Sequence, residues 1–319
     1  MNTLARAAMA GATFTLAHIA ALPAQASCGA AFCSVNTNWS VQSAPAESGT
    51  TLDLRFEYIP QDQPRAGSST VGVGQTRRHH DEVKTTNRNA VATVDHAFSP
   101  NWGVSLQLPV VSRDHEHIHN HHGARLNEAW DFTKLGDARV AGRYSVTEGA
   151  LAGFGVTAGL KLPTGRFAVA NGRGDVAERS LQPGTGTTDL LLGAFYHQPI
   201  PEWSASWFVQ ASVQTPLNER QGYRPGSQFG FDVGVQYDVT ERLSLLAQVN
   251  ALVRGRDRGR EAEPDDSGRS MIALSPGVSY AVLDNVSLYG FVQLPVWQRV
   301  NGVQLTADWS GVLGLRTRF

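Results

Sequence analysis

From residue 51 to the last residue, Phe319, the chain repeats one pattern twelve times: apolar and polar residues alternate over nine to fifteen positions. Successive side chains on a strand point to opposite faces, so each repeat is a strand with one apolar and one wet face. In residues 51–59, Leu52, Leu54, Phe56 and Tyr58 take one face and Asp53, Arg55 and Glu57 the other. The remaining repeats fall at 88–98, 103–112, 136–146, 152–162, 188–198, 205–215, 228–239, 243–253, 271–282, 286–297 and 305–319. Their connections alternate between very short turns and long polar loops. A soluble sandwich would need a second sheet for every apolar face. A closed antiparallel barrel with lipid outside and water inside needs none, and it explains the alternation of connections. The pattern therefore predicts an all-β fold, a 12-stranded antiparallel transmembrane β-barrel of the bacterial outer-membrane type.

The aromatic residues test this independently. Phe98, Tyr144, Tyr196, Tyr237, Tyr280 and Phe319 stand on the apolar face near the end of every second strand. Amphipathic rings prefer the headgroup layer, so six rings at one depth read as a membrane girdle. They place both chain ends in the periplasm.

Residues 1–26 have one early charge (Arg6), an apolar run and the small-x-small site Ala24-Gln25-Ala26, as a cleaved secretory signal does. No later segment approaches the ~20 apolar residues that a spanning helix needs. The formal net charge of −1 becomes −2 when Arg6 leaves with the signal, which gives nucleic acid no basic surface to bind. The domain reading is then a signal peptide at 1–26, a periplasmic N-terminal segment at 27–50 and the barrel at 51–319. Whether residues 27–50 enter the lumen is left open. The only cysteines, Cys28 and Cys33, lie in that segment, and an oxidising periplasm favours a disulfide between them.

The wet faces must line the lumen, because a lipid-facing row of charges would be prohibitive. Asp53, Arg55, Glu57, Arg139, Lys161 and Asp232 are its charged markers. Above it, residues 115–122 hold five of the ten histidines. Imidazole beside carboxylate suits zinc, copper(II) or nickel. By strand parity His115, His117, His119 and His121 share the lumen side. With the hairpin centred between residues 100 and 101, His80 falls opposite His121 and His79 opposite His122. His79, His80, His115, His117, His119, His121 and His122 are therefore the candidate metal ligands.

Three stretches carry a resemblance: residues 160–165 (LKLPTG), 181–189 (LQPGTGTTD) and 292–302 (VQLPVWQRVNG). They resemble the outer-membrane family described as the MetA-pathway of phenol degradation. The resemblance implies a barrel, passage of organic compounds and no catalytic residues. The histidine segment and the two cysteines are not part of those motifs.

The expectation is thus an outer-membrane channel or transporter for small polar or organic solutes, and not an enzyme. Its partners are the lipid bilayer and a small-molecule or metal-ion cargo, and a divalent metal is the only cofactor suggested. The alternative is a surface barrel that senses or sequesters zinc, copper or nickel. An outer-membrane hydrolase is remote, since no serine has both triad partners near it in the projected register.

Overall fold

The computed structural model describes residues 34–37, 48–76, 80–121, 124–148 and 152–319. The signal at 1–26, Cys28, Cys33, His79 and His122 lie outside them, as does the side chain of His121. The first strands are β1 (Gly49–Gln61), β2 (Gln63–Ala66), β3 (Ser69–Thr70), β4 (His80–Ala97) and β5 (Trp102–His121). Next come β6 (Ala124–Leu135), β7 (Ala138–Glu148), β8 (Ala152–Leu162), β9 (Asp189–Ile200) and β10 (Ala205–Pro216). The chain ends with β11 (Gln228–Asp238), β12 (Leu243–Arg254), β13 (Arg269–Leu283), β14 (Val286–Val300), β15 (Val303–Thr306) and β16 (Ser310–Arg318).

Thirteen of these strands form one antiparallel sheet, and pairing of β1 with β16, from Thr51↔Arg318 to Tyr58↔Gly311, closes it. They occupy twelve positions in the wall because β6 and β7 share one. The lower part of β5 pairs with β7 and its upper part with β6, and the break falls at Gly136 and Asp137. Gly136 N–H bonds to Pro109 O (2.9 Å), so the break does not open the wall. The remaining strands, β15, β2 and β3, form a small sheet at the external end.

The predicted alternation holds around the wall. Leu54, Phe56, Leu106, Phe154, Phe231, Leu274 and Leu313 stand exposed on the outside, an apolar surface suited to lipid and far larger than water tolerates. The girdle is present too: Phe98, Tyr237, Tyr280 and Phe319 project outward, and Tyr144 and Tyr196 lean against Trp102 and Trp207 (centroids 4.7 and 5.4 Å).

Phe319 joins this belt to the seam. Its N–H bonds to Thr50 O (2.9 Å) and its carbonyl accepts from Thr50 N–H (3.2 Å), while the ring is 74% exposed. The ring packs no core, so its place is the interface. Deleting Phe319 should lower the amount of folded barrel in the outer membrane several-fold without changing the strand pattern. Heat-modifiable migration of membrane fractions reads this, and unchanged yield would count against it.

Three expectations are corrected. Strands at 88–98 and 103–112 extend to His80–Ala97 and Trp102–His121, and Ala124–Leu135 is strand rather than loop. Outward residues above Val110 are polar except Ile118, with Lys84 and Glu116 exposed and Arg88 paired to Asp114, so the apolar period stops where the lipid stops and the wall continues. Second, the strand expected at 305–319 is split: residues 303–306 leave the barrel to pair with β2, and β16 starts at Ser310. Third, His80 faces His119 and not His121. The hairpin is centred on Pro100, and a bulge at Val83, between Glu82 and Lys84, moves the register by one more residue.

Candidate functional site

Residues 34–37, which the sequence places ahead of the barrel, lie inside it. Val35, Asn36 and Thr37 are buried among inward side chains of the wall. Asn36 N–H donates to Gln248 Oε1 (3.1 Å), Gln248 Nε2 returns a bond to Asn36 O (2.9 Å), and Asn36 Nδ2 reaches Gln210 Oε1 (3.1 Å). Gln293 Nε2 donates to Ser34 Oγ (2.9 Å), Arg55 Nη1 to Thr37 Oγ1 (3.1 Å) and Arg316 Nη2 to Thr37 O. Val35 completes an apolar cluster with Phe208, Leu246, Tyr289, Phe291 and Val312. An extended segment has no sheet to satisfy its backbone, and here the lumen side chains supply the partners.

The charged lumen residues are engaged by neighbouring side chains. Asp53 accepts from Tyr289 Oη (2.9 Å) and Arg316 Nη2 (3.1 Å); Arg55 Nε bonds to Glu57 Oε1 (2.9 Å); Asp232 Oδ1 accepts from Asn250 Nδ2 (2.7 Å). Beside the N-terminal segment the lumen keeps a cavity of about 270 Å3. Gln107, Arg139, Arg143 and Gln214 line it together with Leu191 and Phe195.

The first two of the family-like motifs meet at one knot on the external side. Lys161 Nζ contacts Asp137 Oδ2 (2.7 Å), Thr185 Oγ1 (2.6 Å) and Thr187 O (2.7 Å), with Asp189 Oδ1 at 3.5 Å. Asp137 also accepts from the N–H groups of Gly165 and Thr185 (3.0 Å each). The loop ends cross so closely that a Cβ on Gly165 would lie 2.8 Å from Gly184 Cα, hence glycine at both positions. The knot fixes loop 163–188 over the mouth, where Leu181 and Ala177 join Val111, Trp130, Phe132, Val169 and Leu305 in a second apolar cluster.

Above the lipid belt, the same mouth gathers the histidines. His115 Nε2 stands 3.0 Å from His117 Nδ1, and His115 Nδ1 is 2.8 Å from Thr85 Oγ1. His117 Nε2 is 3.0 Å from Glu128 Oε2, and Glu82 Oε2 lies 3.9 Å from His115 Nε2. His80 stacks on His117 (centroids 4.2 Å), with its Nε2 3.3 Å from His119 Nδ1 and its Nδ1 2.8 Å from Glu178 Oε1. The Trp130 ring closes the floor, 5.1 Å from that of His117. Burial holds the His80 pKa down at about 4 against the pull of Glu128 and Asp81, and holds that of His115 well below its ordinary value. Both rings are therefore neutral, the form that binds metals. Burial raises Glu178 and Glu263 well above the carboxylate range, and Glu178 raises Glu263 further.

Of the seven predicted ligands, His80, His115, His117 and His119 converge. His121 ends β5, while His79 and His122 fall outside the described residues. Sequence reasoning missed the carboxylates that complete the cluster. Glu82 stands next to the noted histidine pair, but the parity of strand 88–98 put it on the outer face, and only the bulge at Val83 turns it inward. Glu128 faces His117 across β5 and β6, a pairing hidden because that strand has no lipid-facing period. Glu178 comes from a loop and left no signal.

The fold resembles that of an outer-membrane channel from Pseudomonas putida F1, at 13% identity and TM-score 0.66, over 87% of this chain and 98% of that one. The NanC porin aligns with TM-score 0.47 and 10% identity, covering 84% of this chain and all (100%) of its own. A FadL homologue of Pseudomonas aeruginosa gives TM-score 0.40 and 11% identity, covering 87% and 92%. No curated protein matches the sequence. The strand closure, apolar belt and girdle make the molecule an outer-membrane β-barrel. Residues 60–305 match the family described as the MetA-pathway of phenol degradation, and the chain belongs to that family.

Proposed function

We propose that the protein is an outer-membrane channel for small polar or organic solutes, narrowed by its own N-terminal segment. The observation that carries this is the pairing of residues 34–37 with a luminal cavity of about 270 Å3. The cavity wall mixes Arg139, Arg143 and Gln107 with Leu191 and Phe195, a lining for compounds with an apolar body and a polar or anionic head. The resemblance to a P. putida barrel that is itself an outer-membrane channel supports the reading.

The test is planar-bilayer conductance of the refolded chain beside a version lacking residues 27–47. The shortened chain should conduct several-fold more, because Val35 leaves the apolar cluster and Gln210, Gln248 and Gln293 face water. Liposome swelling with small organic acids should follow the same order. Equal and negligible permeability in both proteins would sink the proposal.

A further inference from the structure

We propose that Glu82 Oε2, His115 Nε2 and His117 Nδ1 hold a divalent transition-metal ion of the zinc class, reached from outside past His119 and Glu128. This goes beyond solute passage and does not depend on it. The three ligand atoms lie within 4.8 Å of one another, on side chains that are 0–1% exposed. Two nitrogens on tetrahedral zinc, each at about 2.05 Å, stand about 3.3 Å apart. His115 Nε2 and His117 Nδ1 are 3.0 Å apart, so a small movement admits the ion.

The second nitrogen of each ring is engaged as a bound imidazole requires. Thr85 Oγ1 meets His115 Nδ1 at 2.8 Å and Glu128 Oε2 meets His117 Nε2 at 3.0 Å. In the metal-bound form the N–H protons sit there, and the hydrogen bond between the other two nitrogens gives way to coordination. Such outer partners orient metal-bound imidazoles and raise their basicity. Two imidazoles and one carboxylate suit zinc, nickel or copper(II) better than magnesium or calcium, which prefer all-oxygen sets. They leave a fourth position for water or a fourth ligand.

A neighbouring set supplies the route. His80 Nε2, His119 Nδ1 and Glu128 Oε2 also cluster, at 3.3 Å between the imidazoles and 3.6 Å from His119 to Glu128. His119 and Glu128 are 22% and 21% exposed, so an ion can exchange water for these ligands before it moves inward. The carboxyl oxygens of Glu82 and Glu128 beside the imidazoles favour a divalent cation at this level.

The experiment uses the whole refolded barrel, with zinc and cobalt(II) as probes. Wild type should take up zinc against a chromophoric chelator, and cobalt should give the intense visible bands of a four-coordinate nitrogen–oxygen site. His115→Ala should abolish both. Thr85→Ala should weaken zinc about 10–100-fold, as loss of an outer partner does. Glu82→Gln should shift the cobalt bands. His197→Ala, in β9 away from the cluster, should change nothing. Heat-modifiable migration checks that each variant is folded. Zinc uptake by wild type no tighter than by His115→Ala, or a six-coordinate cobalt spectrum, would overturn the site. If His115→Ala does not fold, unchanged zinc affinity in both Thr85→Ala and Glu82→Gln overturns it equally.

Discussion

Replacing Lys161 by methionine should cost about 3–5 kcal/mol, the range for removing one partner of a buried ion pair. Lys161 is 4% exposed and holds Asp137 and Asp189, which are 6% and 1% exposed. Without the ammonium, two buried carboxylates face each other near the backbone of Thr187. The effect should be local before it is global, since the knot joins loop 163–188 to β7, β8 and β9 while the strand ladder closes the barrel independently. Urea unfolding in lipid vesicles should show the loss, and protease added to intact cells should cut the loop between residues 166 and 180. Adding Asp137→Asn should recover part of it by removing one stranded charge. Wild-type stability together with a protease-resistant loop would contradict the role given to Lys161.

The second large effect is expected at Arg316. Its guanidinium spans Asp53 Oδ2 (3.1 Å) and Thr37 O, and it lies over the Tyr289 ring at 5.2 Å. Arg316→Met should leave Asp53, 2% exposed, with the Tyr289 hydroxyl and no cation of its own strand partner, again a loss of about 3–5 kcal/mol. It should also release residues 34–37, so that conductance rises toward that of the chain without residues 27–47. Those two readouts separate the roles. If stability falls and conductance does not rise, Arg316 holds the wall but not the segment. If neither moves, the network has been misread.

The wall was legible because lipid imposes a period. Leu52, Leu54 and Phe56 must alternate with Asp53, Arg55 and Glu57 wherever hydrocarbon lies outside, and the six girdle rings mark the depth at which it ends. Where Lys84, Arg88 and Glu116 face water instead of lipid on the outside, the period vanishes, and the upper halves of β4 and β5 and all of β6 vanished with it. The histidines were found by composition and parity, but their register was not, since a bulge at Val83 leaves no pattern in the residues around it. Glu178 and the luminal course of Ser34 to Thr37 rest on contacts between residues remote in sequence, which no local pattern encodes. The family-like motifs pointed to the family and its barrel, and only the structure shows Gly165, Gly184, Thr185 and Asp189 meeting at Lys161.

The luminal segment has a consequence for the order of assembly. Its bonds to Gln210, Gln248, Gln293 and Arg316 span 174, 212, 259 and 279 residues. Contacts this remote form late because chain closure must precede them. The segment cannot find its berth until β16 has zipped to β1. The early residues thus become a receipt for completion: they are sheltered only in a barrel whose last strand has arrived.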